Sequence, residues 1–171
     1  MIKKIIFGSY LILVGCKSNS QDQLNNEEPH SSGETAYQVT KSDAEWHKEL
    51  SDLQYYVLRR AGTEPAGTSK ILNNKEKGIY VCAACDTELF KSEHKYDSGS
   101  GWPSFDREIK GNVAFDVDNK IGYERIEEHC AVCGGHLGHV FNDGPRETTG
   151  KRHCINGAAL RFIPSPTTPN K

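Results

Sequence analysis

The sequence is almost free of methionine, since the only one among its 171 residues is Met1. It also has no excess of basic charge: 21 lysine and arginine residues stand against 23 acidic ones, and the formal net charge is −2. A protein that binds nucleic acid through its phosphates carries a basic surface, so we expect no nucleic-acid partner. A long apolar run is missing as well. The run at residues 5–14 is shorter than the roughly 20 residues that a membrane-spanning helix needs.

The first 16 residues are typical of a bacterial export signal. Lys3 and Lys4 form a basic region before the apolar run. Residues 13–16, Leu-Val-Gly-Cys, resemble the lipobox, in which the cysteine is lipidated and becomes the new N-terminus. We therefore expect an exported lipoprotein of the cell envelope, anchored to a membrane face through Cys16 without spanning the bilayer. A cleaved signal or a short anchor is the alternative.

The rest of the chain divides into a stalk, one domain and a tail. Residues 17–36 are mostly polar or charged, so they cannot bury enough surface to fold, and we predict a flexible stalk. Residues 37–163 have the length of one ordinary domain. Pro164, Pro166 and Pro169 mark residues 164–171 as a disordered tail.

Local patterns predict two helices followed by short strands. Ser42 and Ser51 each precede a Glu or Gln by three residues, which is the sequence of a capping box. Apolar residues then recur at helical spacing, so we expect helices over residues 43–50 and 52–60, with Gly62 at the C-terminus of the second. The 16 glycines and 7 prolines favour many turns and a mainly β domain. Strands are predicted at residues 79–81, 113–117, 121–123, 137–141 and 158–163.

Two Cys-x-x-Cys pairs give a strong chemical signal, Cys82 with Cys85 and Cys130 with Cys133. Four thiolates at this spacing are the ligand set of a tetrahedral zinc site, which is coordinatively closed and therefore structural. Two glycines after the second pair permit a tight turn there. Because we expect the protein to be exported, disulfides are the alternative.

Cys154 belongs to neither pair. Arg152 lies two positions before it and Asn156 two after, so all three share one side if this stretch is a strand. A nearby cation favours the thiolate, and the thiolate is the nucleophilic form of cysteine. We therefore predict a catalytic thiol. The alternative is a small buried cysteine without chemistry.

A group of histidines and one tryptophan could serve such a thiol. His136 and His139 are three residues apart, with Asp143 four further on, and a histidine can deliver a proton to a leaving oxygen. A metal-site fragment, or two hydrogen-bonded histidines in a glycine-rich turn, are the alternatives. Trp102 lies on a loop fixed by a proline, and we predict that its ring forms an aromatic wall for a small sulfur-containing or apolar group. Core packing is its alternative.

Together these motifs resemble the methionine-R-sulfoxide reductase family, MsrB, in a lipoprotein form. The resemblance extends from about residue 43 to residue 162. It rests on Cys-x-x-Cys (82–85), Gly-Trp-Pro-Ser-Phe (101–105), Cys-x-x-Cys-Gly-Gly-His-Leu-Gly-His-Val-Phe (130–141), Asp-Gly-Pro (143–145) and Arg-x-Cys-Ile-Asn (152–156). It implies a mainly β fold of two antiparallel sheets with short N-terminal helices. It also implies one structural Zn²⁺ per chain, held by the four paired cysteines away from the active site.

The resemblance implies a reaction at Cys154. The thiolate attacks the sulfur of methionine-R-sulfoxide, free or within an oxidised protein. Methionine then leaves, and the cysteine remains as a sulfenic acid. Trp102 packs against the terminal methyl group of the substrate, and Phe141 is assigned with it to substrate binding.

The resemblance also assigns the polar side of the pocket. His136, His139 and Asp143 hold this side and help to protonate the departing oxygen. Arg152 favours the thiolate, and Asn156 helps to orient the site.

Ser100 is where this chain departs from many members of the family, which carry a resolving cysteine in that segment. We therefore expect an outside reductant, either a thioredoxin-like protein or a small thiol. The expected protein is a monomeric envelope enzyme that repairs oxidised proteins, and a mature chain without methionine offers it no substrate of its own. A zinc-ribbon binding module would explain the four paired cysteines but not Cys154 beside Arg152. A thiol oxidoreductase would use a Cys-x-x-Cys pair, which bound zinc would exclude.

Overall fold

The computed structural model describes residues 37–166. The predicted signal segment, Cys16, the stalk and residues 167–171 of the predicted tail lie outside the described residues. The described elements are α1 (Asp43–Glu49), α2 (Asp52–Arg60), β1 (Gly78–Cys82), β2 (Glu88–Lys91), β3 (Lys95–Tyr96), β4 (Ser104–Phe105), β5 (Val113–Asp118), β6 (Arg125–Cys130), β7 (His136–Phe141), β8 (Arg152–Ile155) and β9 (Leu160–Pro164), with short 3₁₀ turns at Ser92–His94 and Gly157–Ala159. None of these helices is long and apolar enough to cross a membrane.

The two helices begin where the capping boxes predict. The side chain of Ser42 accepts from the amide of Glu45, and Ser51 does the same for Gln54 in the second box. Each cap satisfies amide groups that have no partner within the helix. The helices bury Trp46 and Leu58 against the sheets, at 2% and 1% exposure.

The end of α2 corrects one expectation. Ala61, and not Gly62, is the C-terminal cap, and it takes the left-handed conformation at φ 49°. The amide of Gly62 donates to the carbonyl of Tyr56. A Cβ on Gly62 would lie 2.3 Å from the Tyr56 ring, so this glycine provides space for close packing and not an unusual dihedral angle.

Two antiparallel sheets form the rest of the domain, which confirms the predicted fold class. The smaller sheet has the order β2-β1-β9 and the larger has the order β3-β4-β8-β7-β6-β5. Their cores meet through aromatic rings. Phe105 of β4 lies 4.4 Å from Phe90 of β2 and 5.1 Å from Tyr80 of β1, measured between ring centroids. Such pairs contribute roughly 0.5–1.5 kcal/mol each beyond the apolar area that they bury.

The hairpin between β5 and β6 differs from its prediction. Residues 121–123 form a turn, and the returning strand begins only at Arg125. The sequence of β6, Arg-Ile-Glu-Glu-His-Cys, does not show the alternation typical of a strand, because the charged Glu128 occupies a core-facing position. Glu128 is fully buried, and its carboxylate lies 2.6 Å from His153 Nδ1. Burial raises the pKa of Glu128, and the contact with His153 opposes that rise.

The larger sheet gives opposite roles to its two faces. Along β8, Arg152 and Cys154 project to one face, while His153 and Ile155 are buried on the other. Cys154 faces His139 across the β7–β8 ladder. Pro164 ends β9, and Ser165 still donates its amide to the carbonyl of Lys77.

Candidate active site and metal centre

The four paired cysteines converge on one point between two knuckle turns. Their sulfur atoms all lie within 4.8 Å of one another, with Sγ–Sγ distances of 3.7 Å from Cys82 to Cys133 and 3.5 Å from Cys85 to Cys130. A tetrahedron with Zn–S bonds of about 2.3 Å has edges of about 3.8 Å. A disulfide brings sulfurs to about 2.05 Å. The cluster therefore fits a tetrahedral metal ion, which favours the metal prediction over disulfides.

The two knuckles have the same backbone geometry. In each, the first cysteine accepts a hydrogen bond from the amide four residues later, at 2.9 Å from Asp86 to Cys82 and 2.8 Å from Gly134 to Cys130. The amide of each first cysteine donates to the carbonyl five residues later, at 2.8 and 2.9 Å. Asp86 and Gly134 are both left-handed, with φ of 61° and 68°. This turn points both sulfurs of a pair in one direction, so two pairs supply four convergent ligands.

Cys154 lies in a separate cavity of about 130 Å³. None of the four clustered cysteines lines it. Trp102 and Phe141 form its aromatic part, and the remaining lining residues are Thr63, Arg125, Gly138, His139, Cys154 and Asn156. A larger depression of about 560 Å³, lined by Thr68, Arg161 and Phe162 among others, contains no cysteine. The smaller cavity is therefore where thiol chemistry can occur.

The surroundings of Cys154 have opposing effects on its ionisation. Burial raises the pKa of the Cys154 thiol. The hydroxyl of Ser100, 3.8 Å from the sulfur, and the positive charge of Arg152 lower the pKa but do not cancel the rise. The thiol therefore rests protonated near neutral pH, and its proton must leave when the sulfur attacks.

Three serines form a hydroxyl chain that ends at this sulfur. Ser98 Oγ lies 2.8 Å from Ser100 Oγ and 2.7 Å from Ser104 Oγ. Ser104 is the cross-strand partner of Cys154 from β4. Hydroxyl groups both donate and accept, so the chain can accommodate either a thiol or a charged sulfur.

Glu64 fixes one wall of the cavity. Its carbonyl accepts from Trp102 Nε1 at 3.0 Å, and its amide donates to Asn156 Oδ1 at 2.9 Å. Its carboxylate accepts from the amides of Gly157 and Ala158. Burial raises the pKa of Glu64, and these amides oppose the rise. The indole ring is therefore held by its nitrogen, and its apolar surface remains available to the cavity.

Asn156 is 3% exposed and has both ends of its side chain occupied. Its Nδ2 donates to the carbonyl of Leu137 at 2.9 Å, and its Oδ1 accepts from Glu64. Asn156 thus joins β7, the strand that carries His139, to Glu64, whose carbonyl holds Trp102. It belongs to the cavity wall, where it ties the two sides together.

Arg152 and Asp143 form an ion pair at the rim. Nε and Nη2 of Arg152 donate to the two carboxylate oxygens of Asp143 at 2.8 and 2.9 Å. The guanidinium also lies over the Phe141 ring, 4.5 Å from its centroid. The side chain of Asp143 is 63% exposed. In this structure Asp143 therefore contacts Arg152, not the histidines with which the sequence grouped it.

The two predicted histidines lie side by side with separate carboxylate partners. Their ring centroids are 5.5 Å apart. His136 Nδ1 is 2.5 Å from Glu127 and His139 Nε2 is 2.8 Å from Asp118. Of the pair, only His139 is among the residues that line the cavity.

Asp118, Arg125 and Glu64 were not singled out by sequence reasoning. Asp118 lies just after the strand predicted at residues 113–117, and Arg125 lies just after the one predicted at residues 121–123. The available signal was the alternation of β5, because apolar Val113, Phe115 and Val117 on one face leave Asp118 on the other.

The chain is similar to one protein family over most of the domain. The SelR domain model matches residues 50–164. A protein of Leptospira interrogans called "Peptide methionine sulfoxide reductase MsrB" is 57% identical over 127 residues, which cover 74% of this chain and 96% of that protein. A protein of the same name from Leifsonia xyli is 50% identical, covering 77% and 96%. The mouse protein "Methionine-R-sulfoxide reductase B3, mitochondrial" is 48% identical, covering 76% and 51%. On this similarity, and with a lone thiol in an aromatic cavity apart from a four-cysteine cluster, the chain belongs to the SelR family of MsrB methionine sulfoxide reductases.

Proposed function

We propose that this domain reduces the R epimer of methionine sulfoxide, free or in oxidised proteins, with Cys154 as the nucleophile. The observation that carries the proposal is the position of Cys154 in a cavity that also contains an indole ring and a histidine. Membership of the MsrB family supports sulfoxide reduction as the reaction.

The reaction balances without a cofactor. The sulfur of Cys154 attacks the sulfoxide sulfur, and the oxygen is transferred from the substrate to the cysteine. The sulfoxide gains two electrons and becomes methionine, while the thiol loses two and becomes a sulfenic acid. The thiol proton is not consumed overall, because it ends on the transferred oxygen. A group that carries this proton from sulfur to oxygen lowers the barrier.

The cavity supplies a group for each requirement. Trp102 and Phe141 offer apolar surface to the substrate's methyl group. His139 lines the cavity opposite Cys154 and is the proton carrier, with His136 beside it. Arg152 stabilises the thiolate as it forms, and Asp143 and Asn156 hold their neighbours in place.

Separate assays on the two sulfoxide epimers test this function. The detergent-solubilised full chain should reduce the R epimer in the presence of dithiothreitol and leave the S epimer unchanged. A matched Ser69→Ala variant, changed on the surface of the other depression, should behave as the wild type. Equal rates on both epimers would contradict the proposal.

We also propose that the metal in the four-cysteine cluster is zinc and that it is structural. Four thiolates close the coordination shell and leave no position for substrate. A bound zinc ion would join β1 and β6 through their end residues, Cys82 and Cys130, and so stabilise the two sheets together. Elemental analysis of the purified chain should give about one zinc per chain.

Regeneration of Cys154 is proposed to need an outside thiol. Ser100 Oγ lies 3.8 Å from the sulfur of Cys154, and a hydroxyl cannot form a disulfide. The sulfenic acid is therefore open to a thioredoxin-like protein or a small thiol. After one turnover without reductant, mass spectrometry with a sulfenic-acid trap should find the adduct on Cys154. A disulfide from Cys154 to a clustered cysteine would contradict the proposal.

The chain is proposed to be an exported lipoprotein that repairs oxidised proteins of the cell envelope as a monomer. The support is the lipobox-like end of residues 13–16 and the polar composition of residues 17–36. Expressed in a bacterium, the protein should lose residues 1–15 and carry lipid on Cys16, and Cys16→Ser should abolish labelling with a fatty-acid analogue. An unprocessed chain in the cytoplasm would contradict this localisation.

A further inference from the structure

Asp118 is a buried carboxylate at the edge of the cavity, at the end of β5, and it is 5% exposed. Its Oδ2 contacts two groups, His139 Nε2 at 2.8 Å and Arg125 Nη2 at 2.6 Å. Its Oδ1 accepts from the amide of Lys120 at 2.8 Å. Both oxygens are therefore occupied, and two of the three partners line or approach the cavity that contains Cys154.

These contacts decide which nitrogen of His139 carries hydrogen. The amide of Lys120, the contact with His139 and the charge of Arg125 hold the pKa of Asp118 well below its usual range, so this carboxyl is ionised. An ionised carboxylate only accepts hydrogen bonds, so Nε2 of His139 must donate. Nδ1 is then the nitrogen that can give and take a proton, on a ring that lines the cavity.

We propose that Asp118 is the positioning residue for His139. Its carboxylate accepts a hydrogen bond from Nε2–H and fixes the ring, which leaves Nδ1 to move the proton between Cys154 and the sulfoxide oxygen. This role rests on the function proposed above. The carboxylate stabilises the imidazolium while the proton is on the ring, as an aspartate does for the histidine of a catalytic triad. Arg125 holds the carboxylate in turn, from the cross-strand position of the β5–β6 ladder.

The charges that face His139 come from every strand around it. Asp118 lies on β5, Arg125 and Glu127 on β6, His136 on β7 itself, and Cys154 on β8. Burial lowers the pKa of His139, with Arg125 and His136 adding to that effect, and Asp118 opposes it. Removing the carboxylate charge therefore leaves a ring that is harder to protonate.

A purely structural role for Asp118 would come from its bond to Lys120, which closes the turn after β5. Asp118→Asn keeps an oxygen for that amide but has no charge for the imidazolium or for Arg125. The matched control is Asp116→Asn, which removes the same charge from the same face of the same strand. Asp116 is 71% exposed, and its ring contact is with His129, not His139.

The test measures rates and the histidine itself. We expect Asp118→Asn to lower kcat for the R epimer roughly 10²-fold, part of the 10²–10⁴ that general acid–base catalysis contributes. KM should stay within about twofold, and the acidic limb of the kcat profile, which reports protonation of the His139 ring, should move to lower pH. Asp116→Asn should change neither. In ¹⁵N NMR spectra of the wild type at neutral pH, His139 should be the Nε2–H tautomer, a measurement that needs neither turnover nor a folded variant.

Each outcome decides the matter. A His139 found as the Nδ1–H tautomer, or an Asp118→Asn chain with kcat within twofold of the wild type, overturns the role of Asp118 while the proposed reductase activity stands. An inactive wild-type chain overturns the proposed function and the catalytic role of Asp118 with it.

Discussion

The metal centre and the cavity use the same side chain for different purposes. At the metal centre four sulfurs lie within 4.8 Å of one another, carried by two knuckles of matching backbone geometry. In the cavity a single half-buried sulfur is surrounded by a hydroxyl, a guanidinium and an imidazole. The neighbours of a thiol therefore decide its chemistry. Three further thiolates make it a ligand in a closed site, whereas one sulfur beside proton donors and open space remains a nucleophile.

Replacing Cys154 should have the largest effect on turnover. Cys154→Ser removes the nucleophile, so reduction of the R epimer should fall to the background of the assay. The free energy of unfolding should change by less than about 1 kcal/mol, since serine has nearly the same shape in a half-buried position. The measurement pairs an epimer-specific assay with chemical denaturation. Residual activity near that of the wild type would place the nucleophile elsewhere.

The same substitution at Cys130 should affect stability instead. Cys130 is fully buried, and Cys130→Ser removes one of four ligands. We expect loss of the metal and a decrease of more than about 4 kcal/mol in the free energy of unfolding, a size typical of lost metal sites. Denaturation and metal analysis of the two cysteine variants side by side would check this. A stable, metal-free Cys130→Ser chain with normal turnover would contradict the structural role.

The sequence predicted the features that depend on local spacing. The helix boundaries follow from Ser42 and Ser51, whose caps act three residues away, and the four-cysteine cluster follows from two short spacers. The mainly β class and the two antiparallel sheets are confirmed as well.

Features that depend on strand register could not be predicted in this way. Asp118 and His139 are 21 residues apart and meet only because β5, β6 and β7 pair in order. Asp143 is four residues from His139 in sequence, yet its bonds are to Arg152. Sequence proximity places Asp143 near this histidine, whereas pairing across the sheet brings Asp118 to it.

Replacing Ser100 with cysteine should give the cavity a pair of neighbouring thiols, as in the four-cysteine cluster. Ser100 Oγ is 3.8 Å from the Cys154 sulfur, so Ser100→Cys places a thiol within reach after a small side-chain rotation. Attack of that thiol on the sulfenic acid would release water and form an intramolecular disulfide. One equivalent of substrate without reductant should then consume both thiols, as counted by mass spectrometry. Ser100→Ala is the matched control, and a stable sulfenic acid in the cysteine variant would contradict the expected geometry.

The smallest expected effect comes from removing the positive charge of Arg152 beside Cys154. Arg152 lowers the pKa of Cys154 against the dominant effect of burial, so Arg152→Gln should raise that pKa further. The shift should be small, because Arg152 is shared with Asp143 at the rim and is partly screened. Alkylation of Cys154 follows its thiolate fraction, so its pH midpoint should move upward and its rate at pH 7 should fall by up to about tenfold. Arg60→Gln, at an exposed ion pair with Asp43, is the control that should leave the midpoint unchanged. A midpoint that moves downward in Arg152→Gln would mean that Arg152 does not act on the thiolate, and that the hydroxyl chain at Ser100 is the group that opposes burial.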